Sequence, residues 1–119
     1  MADNSVEQRR AARSNDQNFL DYEILSAEGT VLGRGLARTL NVSATGLLLE
    51  TSQPFAPGQT LRITLGLRDE LVQITGRVAH SGENAAALYS AGVCFLSFSE
   101  EDHTVYRQHL ETLQQQFND

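Results

Sequence analysis

The sequence predicts a mainly β domain, a sandwich or barrel of six short strands followed by one carboxy-terminal α-helix. Three observations lead to this prediction. Apolar and polar residues alternate with period two from Leu20 onward, clusters of turn-forming residues interrupt the alternation, and after Phe98 the apolar spacing becomes helical. A chain of 119 residues is long enough for one such domain to bury a core without disulfides.

The chain divides into a polar start and an alternating remainder. Residues 1–18 contain almost nothing apolar, so we expect a flexible arm there. The first strand begins near Leu20, because Leu20, Tyr22 and Ile24 share one face and acidic residues occupy the other. A turn is predicted at residues 27–29. The remaining strands are predicted at residues 31–40, 47–51, 61–67, 71–79 and 88–96.

Short segments between these strands have the composition of turns. They are rich in Gly, Pro, Asn and Asp, which favour turn geometry for different steric and hydrogen-bonding reasons. We place these turns at residues 54–58, 68–70 and 81–84.

A helix is predicted to start after Ser99. The Ser99 hydroxyl can cap the helix, Asp102 supplies a carboxylate three residues later, and acidic side chains suit the helix dipole. The helix carries an apolar stripe that can pack on the sheet, on a second copy or on a partner. The stripe consists of Tyr106, Leu110, Leu113 and Phe117.

Charge narrows the possible ligands. The formal net charge is −6, from 9 basic and 15 acidic residues, which argues against a general DNA or RNA binder. Every basic residue is arginine, and Arg9, Arg10 and Arg13 lie within five positions. Such a concentration of planar, bidentate donors can still capture a small dianion.

The single cysteine and the hydropathy pattern suggest a location. Cys94 has no intrachain partner, and its apolar neighbours predict a buried thiol in a reducing compartment. No apolar run reaches the length of a membrane span, and residues 1–18 lack the apolar region of a signal peptide. We therefore expect a cytoplasmic protein without membrane insertion.

Two short clusters are the strongest functional signal. They are Arg9-x-x-x-Arg13 and Asn41-x-Ser43-x-x-Gly46. The first is weak alone, because nine arginines produce such a spacing roughly once by chance. Indeed, the chain contains a second Arg-x-x-x-Arg, Arg34 to Arg38, which we interpret as a sheet-face pair whose stems cover apolar surface, without a ligand role.

Both clusters also have a purely structural interpretation. The arm arginines can be a solvated charged tail, and Asn41, Ser43 and Gly46 can simply form a β-turn. The turn and a ligand role are compatible with each other.

In order and spacing, these two clusters resemble those of the PilZ domain family. Further similarity lies in residues 46–51, 57–58, 76–78 and 92–95, and in the capped helix start. The resemblance implies a six-stranded antiparallel β-barrel, with the arm at residues 1–18, the barrel at 19–98 and the helix at 99–119. It covers one domain from about residue 9 to residue 119.

The resemblance also implies a ligand, the bacterial second messenger cyclic di-GMP, and no further cofactor or metal. Arg9 and Arg13 would fold over its phosphates or guanines, while Asn41 and Ser43 offer hydrogen bonds from the barrel. Gly46 would permit either a positive φ or a close backbone approach. Gln8 and Arg10 are additional candidates for the site.

Two positions depart from the family pattern. Gln8 precedes Arg9 where many members have another arginine, and some members with that arginine accept an intercalated ligand dimer. Either one or two ligands per chain is therefore compatible with the sequence. Ser14 follows Arg13 where an apolar residue is common, which predicts a less firmly anchored arm.

Other functional classes receive less support. His80, His103 and His109 have no metal-ligand spacing with Cys94, and the acidic residues after Ser99 are explained by capping, so an enzyme is not expected. Single-stranded nucleic-acid binding is disfavoured by the charge. The main alternative is a PilZ-fold adaptor that docks on a protein without binding cyclic di-GMP. In either case we expect a downstream effector protein as partner.

Overall fold

The strands and the helix follow one another along the chain with short connections. The computed structural model describes residues 14–15, 17–67 and 69–118, and side chains for 17–67 and 69–115. Its elements are β1 (Ser14–Asn15), β2 (Phe19–Leu25), β3 (Val31–Val42), β4 (Gly46–Thr51), β5 (Thr60–Leu67), β6 (Glu70–Glu83), β7 (Tyr89–Phe98) and α1 (Glu100–Asn118).

Six of the strands close into an antiparallel barrel. Around the barrel the order is β2, β3, β4, β7, β6 and β5, and β5 pairs with β2 to complete the ring. The predicted six-stranded antiparallel barrel is therefore confirmed, and the sandwich is not adopted. The short strand β1 adds to β3 outside the ring. Each barrel strand pairs with a neighbour on both sides over part of its length, and within the described ranges residues 31–37 of β3 pair with β2 alone.

Period-two alternation places the core inside the barrel. On β5, for example, Leu61, Ile63, Leu65 and Leu67 are all buried. Burying each such side chain stabilises the fold by about 1.5 to 3 kcal/mol. The helix α1 covers the barrel with the predicted stripe, of which Tyr106, Leu110 and Leu113 are buried. The fourth stripe residue, Phe117, has its side chain outside the described part of the chain.

The helix begins as predicted, with one difference in its capping. The Asp102 amide donates to the Ser99 hydroxyl at 3.1 Å, so Ser99 is the N-cap. The Asp102 carboxylate instead accepts from the Gln73 amide of β6 at 3.0 Å. Gln73 lies one residue before the first β6 residue that pairs with β7, so β7 supplies no acceptor for its amide. The Asp102 carboxylate is the acceptor instead. No helix in the described ranges has the length and apolar composition that a bilayer crossing requires.

The prediction that Cys94 is buried is wrong. The thiol is exposed. Alternation on β7 gives the inward position to Val93, so Cys94 points outward despite its apolar neighbours.

The predicted turn at residues 81–84 is also wrong. Residues 81–83 belong to β6, where Ser81 pairs with Ala91 of β7. The turn follows at residues 84–88, where the Asn84 side-chain oxygen accepts from the Ala86 and Leu88 amides. Long-range pairing with β7 thus overrides the local turn preference of these residues.

A buried carboxylate links β3, β4 and this turn. Glu50 on β4 accepts from the Arg38 guanidinium at 2.9 and 2.7 Å and from the Asn84 side-chain amide at 2.7 Å. The hydrogen bond from Arg38, followed by that from Asn84, holds the pKa of Glu50 below its ordinary value of 4.5. Arg38 is thus committed mainly to an ion pair inside this chain.

We expect Glu50→Gln to reduce the acid sensitivity of folding. A carboxylate whose folded-state pKa is lowered adds stability that is fully present above about pH 4.5 and is lost as pH falls through the folded pKa. The free energy of unfolding, measured by urea denaturation from pH 7 downward, should fall less steeply below that point in the variant. Asn84→Ala removes one hydrogen-bond donor to Glu50, so its acid dependence of the free energy of unfolding should lie between those of wild type and Glu50→Gln. An unchanged acid dependence in Glu50→Gln would contradict this assignment.

Candidate functional site

The Asn41-x-Ser43-x-x-Gly46 motif forms the connection between β3 and β4. Asn41 lies on β3, Gly46 opens β4, and Ser43 lies between the two strands. Antiparallel pairing of Val42 with Leu47 brings the strand ends together. The turn interpretation of this motif is therefore confirmed.

Ser43 holds the turn closed from within. Its amide donates to the Gly46 carbonyl at 2.9 Å, and its hydroxyl donates to the same carbonyl at 3.0 Å. The hydroxyl also accepts from the Gly46 amide at 3.2 Å and lies 3.4 Å from the Thr45 amide. Ser43 is only 4% exposed. In this arrangement the hydroxyl donor is committed to the turn, so its contact with a ligand stays a prediction.

Gly46 is required by a close approach of two strands. A side chain there would run into the carbonyl oxygen of Val93 on β7. Positive φ values occur at Gly29, Gly58 and Ala87 among the described residues, and not at Gly46. Of the two roles expected for this glycine, the structure shows the close approach.

Asn41 lies where β1 meets the motif. It is half-buried on β3 and pairs in register with Asn15 of β1 on one side and Leu48 of β4 on the other. A register shift between Thr39 and Asn41 marks a bulge just before it. Bulges redirect the side chains beside them and are common next to functional sites.

The register of β1 brings the arm to the motif. Ser14 pairs with Val42, the residue before Ser43. Ser14 directly follows Arg13 in the sequence, so the register of β1 places the residue next to the arginine cluster beside the Ser43 turn. Gln8, Arg9, Arg10 and Arg13 themselves lie outside the described residues.

The stretch after β1 is tied to β3. The Asn18 amide donates to the Thr39 hydroxyl, and the Thr39 amide donates to the Asn18 carbonyl, both at 2.9 Å. Arg38 donates to the Gln17 side-chain oxygen at 3.3 Å. Residues 17 and 18 of the predicted arm are thus bonded to the barrel.

The helix supports the motif through one buried hydroxyl, a contact that the sequence pattern does not predict. Tyr106 is 1% exposed and donates from its hydroxyl to the Ser43 carbonyl at 2.7 Å. The apolar stripe predicted the burial of Tyr106 and not this bond. The available signal was that a buried tyrosine hydroxyl usually finds a partner.

Tyr106→Phe is expected to destabilise the protein by about 1 to 2 kcal/mol, because the Ser43 carbonyl loses a buried donor. Urea denaturation at neutral pH measures the change. Tyr89→Phe, at a half-buried tyrosine on β7, is the matched control for loss of a phenolic hydroxyl. Equal stability of Tyr106→Phe and wild type would contradict a structural role for this bond.

The described residues bring no three potential metal ligands of the His, Cys, Asp or Glu types together. Glu100, Glu101 and Asp102 occupy the first turn of α1. Their position fits the helix dipole, and the Asp102 carboxylate is used by β6.

Comparison with known proteins identifies a family model. The model described as PilZ domain matches residues 7–113, which include both sequence clusters. A search of curated proteins found no match.

Two solved structures share the fold. The Bacillus subtilis inhibitor of motility MotI/DgrA aligns with a TM-score of 0.69 and 14% identity, over 90% of this chain and 50% of its own. A tetrameric PilZ domain protein from Xanthomonas campestris, self-assembled through a helical bundle, aligns with a TM-score of 0.54 and 22% identity, over 76% of this chain and 53% of its own. This chain thus matches about half the length of each.

Proposed function

Because the chain belongs to the PilZ domain family, which generally comprises cyclic di-GMP receptors, we propose that it binds cyclic di-GMP. The ligand would lie between the Arg9 and Arg13 segment and the turn that joins β3 to β4. The observation that supports this most is the pairing of β1 with β3, which places the residue after Arg13 beside Val42.

The proposed contacts follow from the chemistry of the ligand. Cyclic di-GMP has two phosphodiesters and two guanines, and arginine can both pair with phosphate oxygens and stack on a base. Arg9 and Arg13, with Arg10 and Gln8 nearby, would supply these groups from the arm. Asn41 and Ser43 would meet the ligand from the barrel side, and Gly46 would keep the turn in place.

We propose that ligand binding is converted into a change of surface. Closing the arm over the ligand fixes the arm's backbone, and the lost conformational entropy costs about 1 to 2 kcal/mol per residue. Charge-assisted hydrogen bonds to the ligand must offset this cost. The ordered arm would then offer an effector protein a surface different from that of the free chain. The role is binding rather than catalysis, and a cytoplasmic location stays a prediction of the sequence.

Calorimetric titration of the purified chain with cyclic di-GMP tests this proposal. We expect selective, saturable binding, with GTP and cyclic GMP giving no comparable heat. The stoichiometry decides between one and two ligands, which the glutamine at position 8 leaves open. Absence of heat at micromolar ligand, together with an unchanged melting temperature, would contradict the receptor proposal.

An adaptor that does not bind cyclic di-GMP is the second candidate. The observation that favours it is Ser43, which is buried and commits its hydroxyl donor to the Gly46 carbonyl. If the motif only forms the turn, Asn41→Ala should not change the heat measured on titration with cyclic di-GMP. Under the receptor proposal the same variant weakens binding without abolishing the fold.

A further inference from the structure

One side of the barrel exterior alternates apolar and cationic side chains in water. The outward positions of β3 are Leu32, Arg34, Leu36 and Arg38. Leu32 and Leu36 are 67% and 73% exposed, and the Arg34 and Arg38 side chains 72% and 42%. Successive residues on one side of a strand are about 6.7 Å apart. The strand therefore displays a ladder of alternating leucine and arginine.

Neighbouring strands extend this surface. Phe19 on β2 is 82% exposed and Leu71 on β6 is 72% exposed. Four of the five large apolar residues that are exposed in the described part of the chain lie on these three strands. The fifth, Leu96, is on β7. An apolar group of this kind, rimmed by polar residues, commonly marks an interaction site.

Three depressions meet at Leu36. Their volumes are about 480, 300 and 270 Å³, and Leu36 lines all three. The largest also contains Arg34 and Arg62, the second Arg38, and the third Leu71. The two smaller depressions are mostly apolar, so an apolar side chain of a partner can lie there beside Leu36, whereas the largest is lined mainly by charged and polar side chains. Guanidinium groups border the largest and the second.

The ion pairs on this side present their positive ends to water. Glu23 is shared between Arg34 and Arg62, with contacts of 3.3 and 2.7 Å. The Arg34 side chain is 72% exposed against 26% for Glu23, and that of Arg38 is 42% exposed against 8% for Glu50. Asp21 is the remaining exposed carboxylate lining the depressions. Each guanidinium has five donors, so several remain for a partner.

We propose that this surface, the Leu36 face (Phe19, Arg34, Leu36, Arg38 and Leu71), docks an acidic amphipathic helix of a partner protein. Residues i and i+4 of a helix are about 6 Å apart along its axis, close to the step of the ladder. In a helix with alternating apolar and acidic residues at that spacing, an apolar side chain would pack against Leu36 and the acidic side chains would pair with Arg34 and Arg38.

Other occupants fit the Leu36 face less well. An extended peptide could pair with residues 31–37 of β3, on the side away from β2, and would there leave Phe19 and Leu71 uncovered, because both lie on the β2 side of that strand. A second copy related by a two-fold axis would run the β3 ladder antiparallel to itself. With the axis at Leu36, the two Leu36 side chains would meet, but Arg34 would face Arg38 of the second copy, which brings like charges together.

A peptide titration of the isotopically labelled full chain tests the proposal. The probe is a helix-forming peptide of about 15 residues, with Leu, Glu, Leu and Glu at successive i, i+4 positions and Ala and Gln elsewhere. We expect saturable shifts of amide resonances in β2, β3 and the start of β6. A matched peptide with Lys for Glu should bind at least about tenfold more weakly, which corresponds to 1.4 kcal/mol.

Surface variants locate the binding. Leu36→Ser should weaken the acidic peptide at least about fivefold and Arg34→Glu at least about tenfold. Leu96→Ser, at the exposed leucine of β7, is the matched control and should stay within about twofold. Equal binding of the lysine peptide, shifts confined to other strands, or no saturable binding would each overturn the proposal. So would a dimer of the chain that Leu36→Ser dissociates.

Docking at the Leu36 face would give the proposed receptor a class of protein partner, and docking and nucleotide binding can fail separately. The peptide titration is done on the ligand-free chain and reports on the Leu36 face alone. Calorimetry of Leu36→Ser with cyclic di-GMP should reproduce the wild-type affinity, because Leu36 lies six residues along β3 from Val42. A loss of nucleotide binding in that variant would show that the Leu36 face is not separate from the ligand site.

Discussion

Arg13→Ala is expected to weaken cyclic di-GMP binding about tenfold to a hundredfold. A charge-assisted hydrogen bond contributes about 1.5 to 3 kcal/mol, and 1.4 kcal/mol is a factor of ten in affinity. Arg9→Ala should fall in the same range, since both arginines belong to the arm that we propose closes over the ligand. Calorimetry of each variant beside wild type, at one salt concentration, measures the effect.

The chain contains its own control for this prediction. Arg34 belongs to the second Arg-x-x-x-Arg, is largely exposed and pairs with Glu23. Arg34→Ala removes the same charge from the same molecule and should keep the affinity within about twofold. An equal loss in Arg34→Ala would mean that net charge, rather than the arm, governs binding. Wild-type affinity in Arg13→Ala would contradict a role of the arm arginines in binding.

Gly46→Ala is expected to destabilise the fold by about 2 to 3 kcal/mol. The new Cβ would overlap the backbone carbonyl oxygen of Val93, which cannot move without disturbing the pairing of β4 with β7. Because Gly46 also bonds to Ser43, the turn would be displaced together with the strand. Urea denaturation at neutral pH gives the change in the free energy of unfolding.

Gly82→Ala is the matched control for this substitution. Gly82 is exposed on β6, no atom lies within 4 Å of the position that a Cβ would occupy, and its φ is not positive. We expect a change within about 0.5 kcal/mol. If Gly46→Ala were as stable as Gly82→Ala, the close approach of β4 and β7 would not be the reason for glycine at position 46.

The motif combines a structural and a proposed binding role in the same few residues. Ser43 closes the turn through the Gly46 carbonyl, and Tyr106 holds the Ser43 carbonyl from the helix. A turn held this firmly presents Asn41 and the adjacent backbone with little freedom, which lowers the entropic cost of meeting a ligand. The rigid side of the proposed site is therefore built by residues that need not contact the nucleotide themselves.

Local sequence patterns predicted strands and the helix well where the buried side chains follow the period of the strand or helix. Leu61, Ile63 and Leu65 alternate in sequence and are all buried in β5, because a strand sends alternate side chains to opposite faces. The stripe on α1 was predictable for the same reason with helical spacing, and Tyr106 and Leu110 are buried as expected.

Local patterns failed where a distant strand decided the outcome. The composition of residues 81–84 favours a turn, yet Gly82 pairs with Ser90 and the turn forms after Glu83. Cys94 has apolar neighbours, yet the inward position belongs to Val93. In both cases the pairing register with another strand, rather than local composition, selected the result.

The sequence by itself determined that six barrel strands and a capped helix form and which helix stripe is apolar, and it predicts a ligand role for two clusters. These properties depend on spacing along the chain, which is visible without coordinates. The alternation alone left a sandwich or a barrel open, and the resemblance to a family favoured the barrel. Only the tertiary structure decided that β1 pairs beside the Ser43 turn, that Tyr106 bonds to Ser43, and that Leu36 lies among exposed arginines. Those relations arise from long-range pairing and barrel closure, which bring together residues that no local pattern connects.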